Sequence, residues 1–158
     1  MAVTSAGILL YRLDAEGGTS VLVARMGGPY WAGKDEGAWT IPKGEADPEE
    51  AMLDAARREF REELGVDAPE VEYAELGTFV YSSGKRVTVF VADGAEFTAE
   101  EFDFGTFELE WPPRSGRTRA FPEVDRVEWM PLPDARERLV KGQRPALDRL
   151  EDLLAEAR

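Results

Sequence analysis

The chain contains no cysteine and no histidine among its 158 residues. The first absence removes disulfides, thiolate metal ligands and cysteine nucleophiles, and the second removes imidazole ligands and histidine general bases. Carboxylates are then the one strong class of side chain left for acid–base or metal work. Positive charge is scarce too. Lys and Arg number 19 against 32 Asp and Glu, a formal net charge of −13, and the sequence pI is about 4.5. Such a chain repels nucleic acid and anionic membrane at long range, so a polyanionic substrate has to be met by a local basic patch or by bound cations. The apolar run at the N-terminus, Ala6 to Tyr11, is far too short for a membrane span, and the basic start and small-residue cleavage site of a signal peptide are missing. A soluble, cytoplasmic protein with no membrane partner is expected.

Apolar residues make up 43% of the chain, enough to bury one core, and the length is too small for two ordinary domains. One domain spanning residues 1–158 is expected. Val3 to Arg12 and Thr19 to Met26 read as strands around the turn-forming Asp14 to Gly18, an opening hairpin. Gly27 to Gly37 reads as a loop, followed by a short extended segment at Trp39 to Ile41. Leu53, Ala56, Phe60 and Leu64 recur at helical spacing and predict a helix over Asp47 to Leu64. Asp47 is its expected N-cap, Pro48 its first residue, Glu50 stands at capping-box distance, and Gly65 suits the left-handed turn that ends it. Val71 to Tyr81, Lys85 to Ala92, Phe104 to Trp111 and Val127 to Met130 read as strands, Pro112 to Pro122 as an Arg-rich loop. Asp134 to Val140 and Pro145 to Ala157 read as helices.

On the main helix each residue advances about 100°, which places Glu59, Glu62 and Glu63 in one arc beside the apolar stripe. Like charges on adjacent turns repel, by a few tenths of a kcal/mol per pair on an exposed helix, unless a cation sits between them. Hard divalent ions such as Mg²⁺ or Mn²⁺ take such oxygen ligands. Taken alone, the arc also fits a solvated helix face on which Arg57, Arg58 and Arg61 pair with the glutamates.

The longer pattern decides between these readings. From Gly44 to Val66 the sequence is GEADPEEAMLDAARREFREELGV, which fills every fixed position of the Nudix box, Gly-x5-Glu-x7-Arg-Glu-U-x-Glu-Glu-x-Gly-U, with U a bulky aliphatic or aromatic residue. The chain resembles the Nudix hydrolase family. That resemblance implies an α+β fold, the Nudix α/β/α sandwich with a mixed sheet. It implies that Glu59, Glu62 and Glu63 bind catalytic Mg²⁺ (or Mn²⁺), that the carbonyl of Lys43 beside Gly44 adds a ligand, and that Arg58 orients a glutamate through a charge-assisted pair. Glu50 is a box position that helix capping also explains. In several members a further acidic residue lies six before a tryptophan. Here these are Glu123 and Trp129, making Glu123 the candidate for a fourth metal ligand or a general base, with Glu108, Glu110 and Asp125 as rivals.

The expected reaction is in-line attack of water on a phosphorus of a diphosphate linkage. Candidates for phosphate contact are Lys43, Gly44, Lys85, Arg86, Arg114, Arg117 and Arg119; those for base stacking are Trp31, Trp39, Tyr81 and Trp111, with Tyr81 favoured and Trp39 most like core. The substrate class implied is a small nucleotide. A dinucleoside polyphosphate leads, because Trp39 to Gly44 and the Glu123-to-Trp129 spacing look similar to diadenosine tetraphosphate hydrolases; nucleoside triphosphates and ADP-ribose follow. Nucleic acid is disfavoured by the net charge, and a homodimer is left open. A non-catalytic nucleotide-binding regulator on the same fold is the alternative, against which stands the retention of every box glutamate.

Overall fold

The computed structural model describes residues 4–157. The chain opens with β1 (Thr4–Leu13) and β2 (Thr19–Met26), the expected hairpin, in which Tyr11 pairs with Val21. Asp14 closes the turn: its carboxylate accepts the Ser20 hydroxyl at 3.1 Å and its carbonyl accepts the Gly17 N–H at 2.9 Å. Val3, the first residue of the expected strand, lies outside the described residues. Two short strands follow, β3 (Trp39–Thr40) and β4 (Lys43–Glu45), then the helix α1 (Met52–Leu64). Beyond it come β5 (Ala74–Val80), β6 (Arg86–Asp93), β7 (Thr106–Glu110), β8 (Thr118–Pro122) and β9 (Val124–Pro131). The chain continues through α2 (Leu132–Arg138), a 3₁₀ turn (Lys141–Gln143) and α3 (Arg144–Glu156).

Seven strands form one mixed sheet in the order β3-β2-β1-β6-β5, with β4 paired to β1 and β9 to β2. The β1–β6 pair is parallel, from Thr4 opposite Arg86 to Tyr11 opposite Asp93. A parallel pair requires a crossover, and α1 lies on it. Successive side chains of β1 point to opposite faces, and both faces are covered. Ala6, Ile8 and Leu10 pack with Leu22, Ala24 and Phe90 against Ala55, Ala56, Phe60 and Leu64 of α1. Leu9 packs with Val21, Val23, Val89 and Val91 against Leu132 and Ala135 of α2 and Leu147 and Leu150 of α3. The result is the α/β/α sandwich that the box resemblance implies, and it explains why β1 reads as a continuous apolar run rather than an alternating one.

The main helix starts four residues later than its sequence predicts, with its first residue at Met52 in place of Pro48. Asp47 to Glu50 form a separate turn, in which the Glu50 N–H donates to the Asp47 carbonyl at 3.0 Å and Glu50 Oε1 accepts the Asp47 N–H at 3.2 Å. Glu50 thus reaches back as a capping box would, but ahead of the helix, because its carboxylate is also held by Arg58. Extended Ala51 becomes the N-cap, with no side-chain cap. The other helix end is as expected. Gly65 is left-handed, with φ 75°, and its N–H donates to the Arg61 carbonyl at 2.8 Å. A Cβ there would stand 2.6 Å from the Cβ and 2.7 Å from the N of Asp103, whose own N–H caps the Leu64 carbonyl at 3.0 Å. Gly65→Ala should therefore cost about 2 kcal/mol or more, from the left-handed φ and the collision together. A lower urea midpoint at unchanged slope would show it; an unshifted midpoint would refute it.

Pro112 to Pro122, expected as a loop, is half strand. Its end is β8, which pairs with β7 as a separate two-stranded hairpin, Phe107 opposite Phe121 and Leu109 opposite Arg119. Cross-strand aromatic contact, with ring centroids 6.1 Å apart, links Phe107 to Phe121. The Pro, Gly and Arg content belongs to the hairpin's tip.

Candidate active site

The site grows from the contact between β4 and α1. Residue 44 is glycine because the Glu59 carboxylate lies where a Cβ would be: one built there would stand 2.7 Å from Glu59 Oε1 and closer still to its Cδ and Oε2. One turn along the helix, Glu63 Oε2 accepts the Lys43 N–H at 3.3 Å. The β4 backbone and the inner edge of α1 are thereby locked together.

Arg58 organises the outer edge. Its guanidinium donates twice to Glu50, at 2.8 and 2.9 Å, and also to Glu59 Oε1 at 3.0 Å, Glu62 Oε2 at 3.1 Å and the Glu45 carbonyl at 3.1 Å. Five donors in a fixed fork can serve several acceptors in this way, where a lysine could not. Glu50 is thus tied to the site as Arg58's bidentate partner, which accounts for a role beyond capping.

Glu123 enters from the opposite side. It sits between β8 and β9, its backbone pinned by a bond from its N–H to the Gly105 carbonyl at 2.8 Å and from the Gly27 N–H to its own carbonyl at 2.9 Å. Gly105 in turn donates to the Glu63 carbonyl at 3.3 Å, so the C-terminus of α1 and the Glu123 corner are fixed to one another. Glu59, Glu63 and Glu123 line a single cavity of about 380 Å³ with Ser5, Met26, Thr40, Lys43, Gly44, Glu45, Lys85 and Val124.

Burial chiefly raises the Glu63 carboxyl, to about 8; the Lys43 ammonium opposes this, and the nearby Glu123 and Glu59 charges add to it. Glu59 is raised for the same leading reason, with Arg58 pulling the other way. Lys43 is lowered by burial, against the pull of Glu63. Crowded, poorly hydrated carboxylates of this kind are what an oxygen-binding divalent cation relieves. Their donor set suits such an ion, and the missing side chain at Gly44 lets the Glu59 carboxylate lie against the β4 backbone. Among the described residues, however, no three carboxylates converge closely enough to hold an ion as they stand. Glu62 in particular is 57% exposed and turned onto Arg58.

The NUDIX domain family model matches residues 1–150. The chain belongs to the Nudix family. It is by that membership a pyrophosphohydrolase. No curated protein matches the sequence significantly. Among solved structures, the C. elegans Ap4A hydrolase, as a binary complex, is similar over 98% of this chain and 99% of its own, at 21% identity and a TM-score of 0.65. The NUDIX domain of Shewanella oneidensis NrtR, complexed with ADP ribose, matches over 98% and 89% at 15% identity and a TM-score of 0.65. The MutT protein of Methanosarcina mazei Go1 matches over 97% and 95% at 18% identity and a TM-score of 0.62. At these identities the likeness is one of fold.

Within this Nudix chain the remaining sequence candidates divide clearly. Of the basic residues, Lys43 and Lys85 line the cavity. Arg114 and Arg117 do not: they are exposed at the tip of the β7–β8 hairpin, Arg119 lies over the Phe121 ring with its Cζ 5.5 Å from the centroid, and Arg86 is exposed at the start of β6. Glu108 and Glu110 belong to β7, and Asp125 is paired with Arg25 at 2.7 Å, so Glu123 alone of the four reaches the cavity. Trp39 is core, as expected. Trp31 packs against the same core, and Trp111 meets Tyr30 edge-on with centroids 5.6 Å apart. Tyr81 is not free to stack: its ring fills the space beside Gly142 and its hydroxyl accepts Gln143 Nε2 at 2.8 Å.

Gln143 joins the site although it belongs to no motif in the sequence. Buried in the 3₁₀ turn, it also donates to Thr40 Oγ1 at 2.8 Å and accepts the Ile41 N–H at 2.7 Å. It thereby holds the segment that delivers Lys43 and Gly44. A lone glutamine in a polar stretch carries no periodic signal, so sequence patterning could not have found it.

Proposed function

We propose that this single Nudix domain is a divalent-metal-dependent hydrolase of a phosphoanhydride bond in a small nucleotide, with a dinucleoside polyphosphate as leading substrate. The observation that carries the reading is the cavity in which Glu59, Glu63 and Glu123 face Lys43 and Lys85. Glu59, Glu62, Glu63, Glu123 and the Lys43 carbonyl would hold Mg²⁺, or Mn²⁺, which when bound supplies charge neutralisation and a more acidic water. The chain's own residues do the rest. Arg58 holds Glu59 and Glu62 in place, Lys43 and Lys85 bind phosphate oxygens, and Glu123 serves as a further ligand or as the base that takes the water's proton. Water then attacks phosphorus in line with the departing phosphate oxygen, and no covalent intermediate is required.

The leading substrate rests on the Trp39 to Gly44 segment, the Glu123-to-Trp129 spacing, and end-to-end similarity in fold to an Ap4A hydrolase. Nucleoside triphosphates and ADP-ribose are the runners-up. No described helix is long and apolar enough to cross a membrane. The test is turnover with Mg²⁺ across dinucleoside polyphosphates, nucleoside triphosphates and sugar nucleotides, with Glu62→Gln as control. Fast cleavage of diadenosine tetraphosphate, lost in the control and on chelation, is expected. Preference for another class would overturn the leading substrate, and equal activity in the control would overturn the metal assignment.

A further inference from the structure

One polar atom of the cavity wall has no role in the reaction as described. Ser5 is 1% exposed, and its Oγ is the buried side-chain polar atom that lacks a hydrogen-bond partner among the described residues. A buried hydroxyl without a partner is costly, and such a group calls for an explanation. Nothing in β1 demands a hydroxyl at this position. Ser5 pairs with Glu45 of β4 on one side and Val87 of β6 on the other, and an alanine would fit the same backbone.

The surroundings indicate what the hydroxyl is for. Side chains of β1 alternate between faces, so Ser5 and Gly7 share one face, and a Cβ on Gly7 would stand 2.8 Å from the Lys43 Cβ. Ser5 and the Lys43 side chain are therefore neighbours on the same face. Lys85, just before β6, lines the same cavity. Neither lysine forms an ion pair among the described residues, although Glu45, Glu59, Glu63 and Glu123 line the same space. Thr40, the other hydroxyl in the lining, is already committed to the Ile41 carbonyl and to Gln143. The wall formed by Ser5, Lys43 and Lys85 thus offers one unpaired hydroxyl and two unpaired ammonium groups, and this donor set matches the oxygens of a phosphate.

We infer that Ser5 Oγ is a substrate-binding group that donates to an oxygen of the phosphate held by Lys43 and Lys85. This inference rests on the hydrolase reading and extends it. The hydroxyl is closed off from solvent, so the inference requires the side chains lining the cavity to shift when the anion binds.

The probes are inorganic tripolyphosphate, read by calorimetry on the Mg²⁺-loaded protein, and steady-state kinetics on the preferred nucleotide. Ser5→Ala should raise the tripolyphosphate Kd and the nucleotide KM by about tenfold, the ordinary effect of one hydrogen bond to a charged group, with KM rising more than kcat falls. Its thermal midpoint should be equal to or above wild type, because a partnerless buried hydroxyl has been removed. Lys85→Met should weaken tripolyphosphate binding too, and the double variant should lose less than the product of the two, as for groups that share one phosphate. An unchanged Kd, a lowered midpoint, or weakening confined to nucleotides while tripolyphosphate binds normally would overturn the inference. If wild type cleaves no nucleotide but Ser5→Ala still weakens tripolyphosphate, the hydrolase reading fails and the phosphate subsite stands.

Discussion

Glu63→Gln should lower kcat about a thousandfold or more while leaving the fold intact, the scale seen when one charge-stabilising group is removed from a preorganised site. Glu63 is tied to the scaffold through its side chain, which accepts the Lys43 N–H, and through its carbonyl, which accepts the Gly105 N–H. Glutamine has the same length and can still accept that N–H, so the geometry survives while the charge at the metal is lost. Stability should move in a distinctive way. In the metal-free protein burial raises the Glu63 carboxyl from 4.5 to about 8, so between those values the folded state keeps a proton that the unfolded chain has released. Its contribution to stability is therefore full below pH 4.5 and is lost as the pH rises towards 8. Glutamine does not titrate. Urea unfolding in chelator should show a shallower decline from pH 5 to pH 8 in the variant than in wild type. Near wild-type turnover would sink the assignment of Glu63, and an equal pH slope would show that its burial does not govern its ionisation.

How much of this was legible beforehand follows from the kind of signal each feature leaves. The helix α1 could be read because its apolar stripe, Leu53, Ala56, Phe60 and Leu64, is periodic and its C-terminal glycine is required by a left-handed φ. Its N-terminus was misplaced because Glu50 has two partners, the Asp47 N–H and the Arg58 guanidinium. The second comes from eight residues along the chain, a distance local capping rules do not cover. The β7–β8 hairpin was half missed for a similar reason: its pairing is between residues fourteen apart at Phe107 and Phe121, and the Pro, Gly and Arg tip dominates the local composition. Glu123, singled out by its spacing from Trp129, lies in the cavity lining at a corner pinned from both sides by Gly27 and Gly105. The basic residues are the least legible. Charge alone does not say which face a side chain occupies, so Arg114 and Arg117 read like Lys43 and Lys85, although only the two lysines line the cavity. The packing of Tyr81 is equally hidden in the sequence, because its hydroxyl's partner, Gln143, lies 62 residues away.

Gly44→Ala should abolish most activity without unfolding the protein, and it isolates the contact on which the site is built. The backbone can take the change, since Gly44 is not among the glycines of positive φ and its pairing with Ala6 in β1 uses no side chain. The added methyl, however, would occupy the space of the Glu59 carboxylate. Glu59, with only 15% of its side chain exposed, has to swing away, and in doing so it also leaves Arg58 Nη1. A displacement of an ångström or more at the reacting centre costs about a hundredfold in rate, which is the expected fall in kcat, together with a higher Mg²⁺ concentration for half-maximal activity. The thermal midpoint should change little, because the methyl displaces a carboxylate whose burial is itself unfavourable. Glu59→Gln should give a comparable loss, and adding Gly44→Ala to it should cost little more, since both act on the same carboxylate. Multiplicative losses in the double variant would mean that Gly44 serves another purpose, such as close approach of the substrate to the backbone, and would separate the glycine's role from that of the metal ligands.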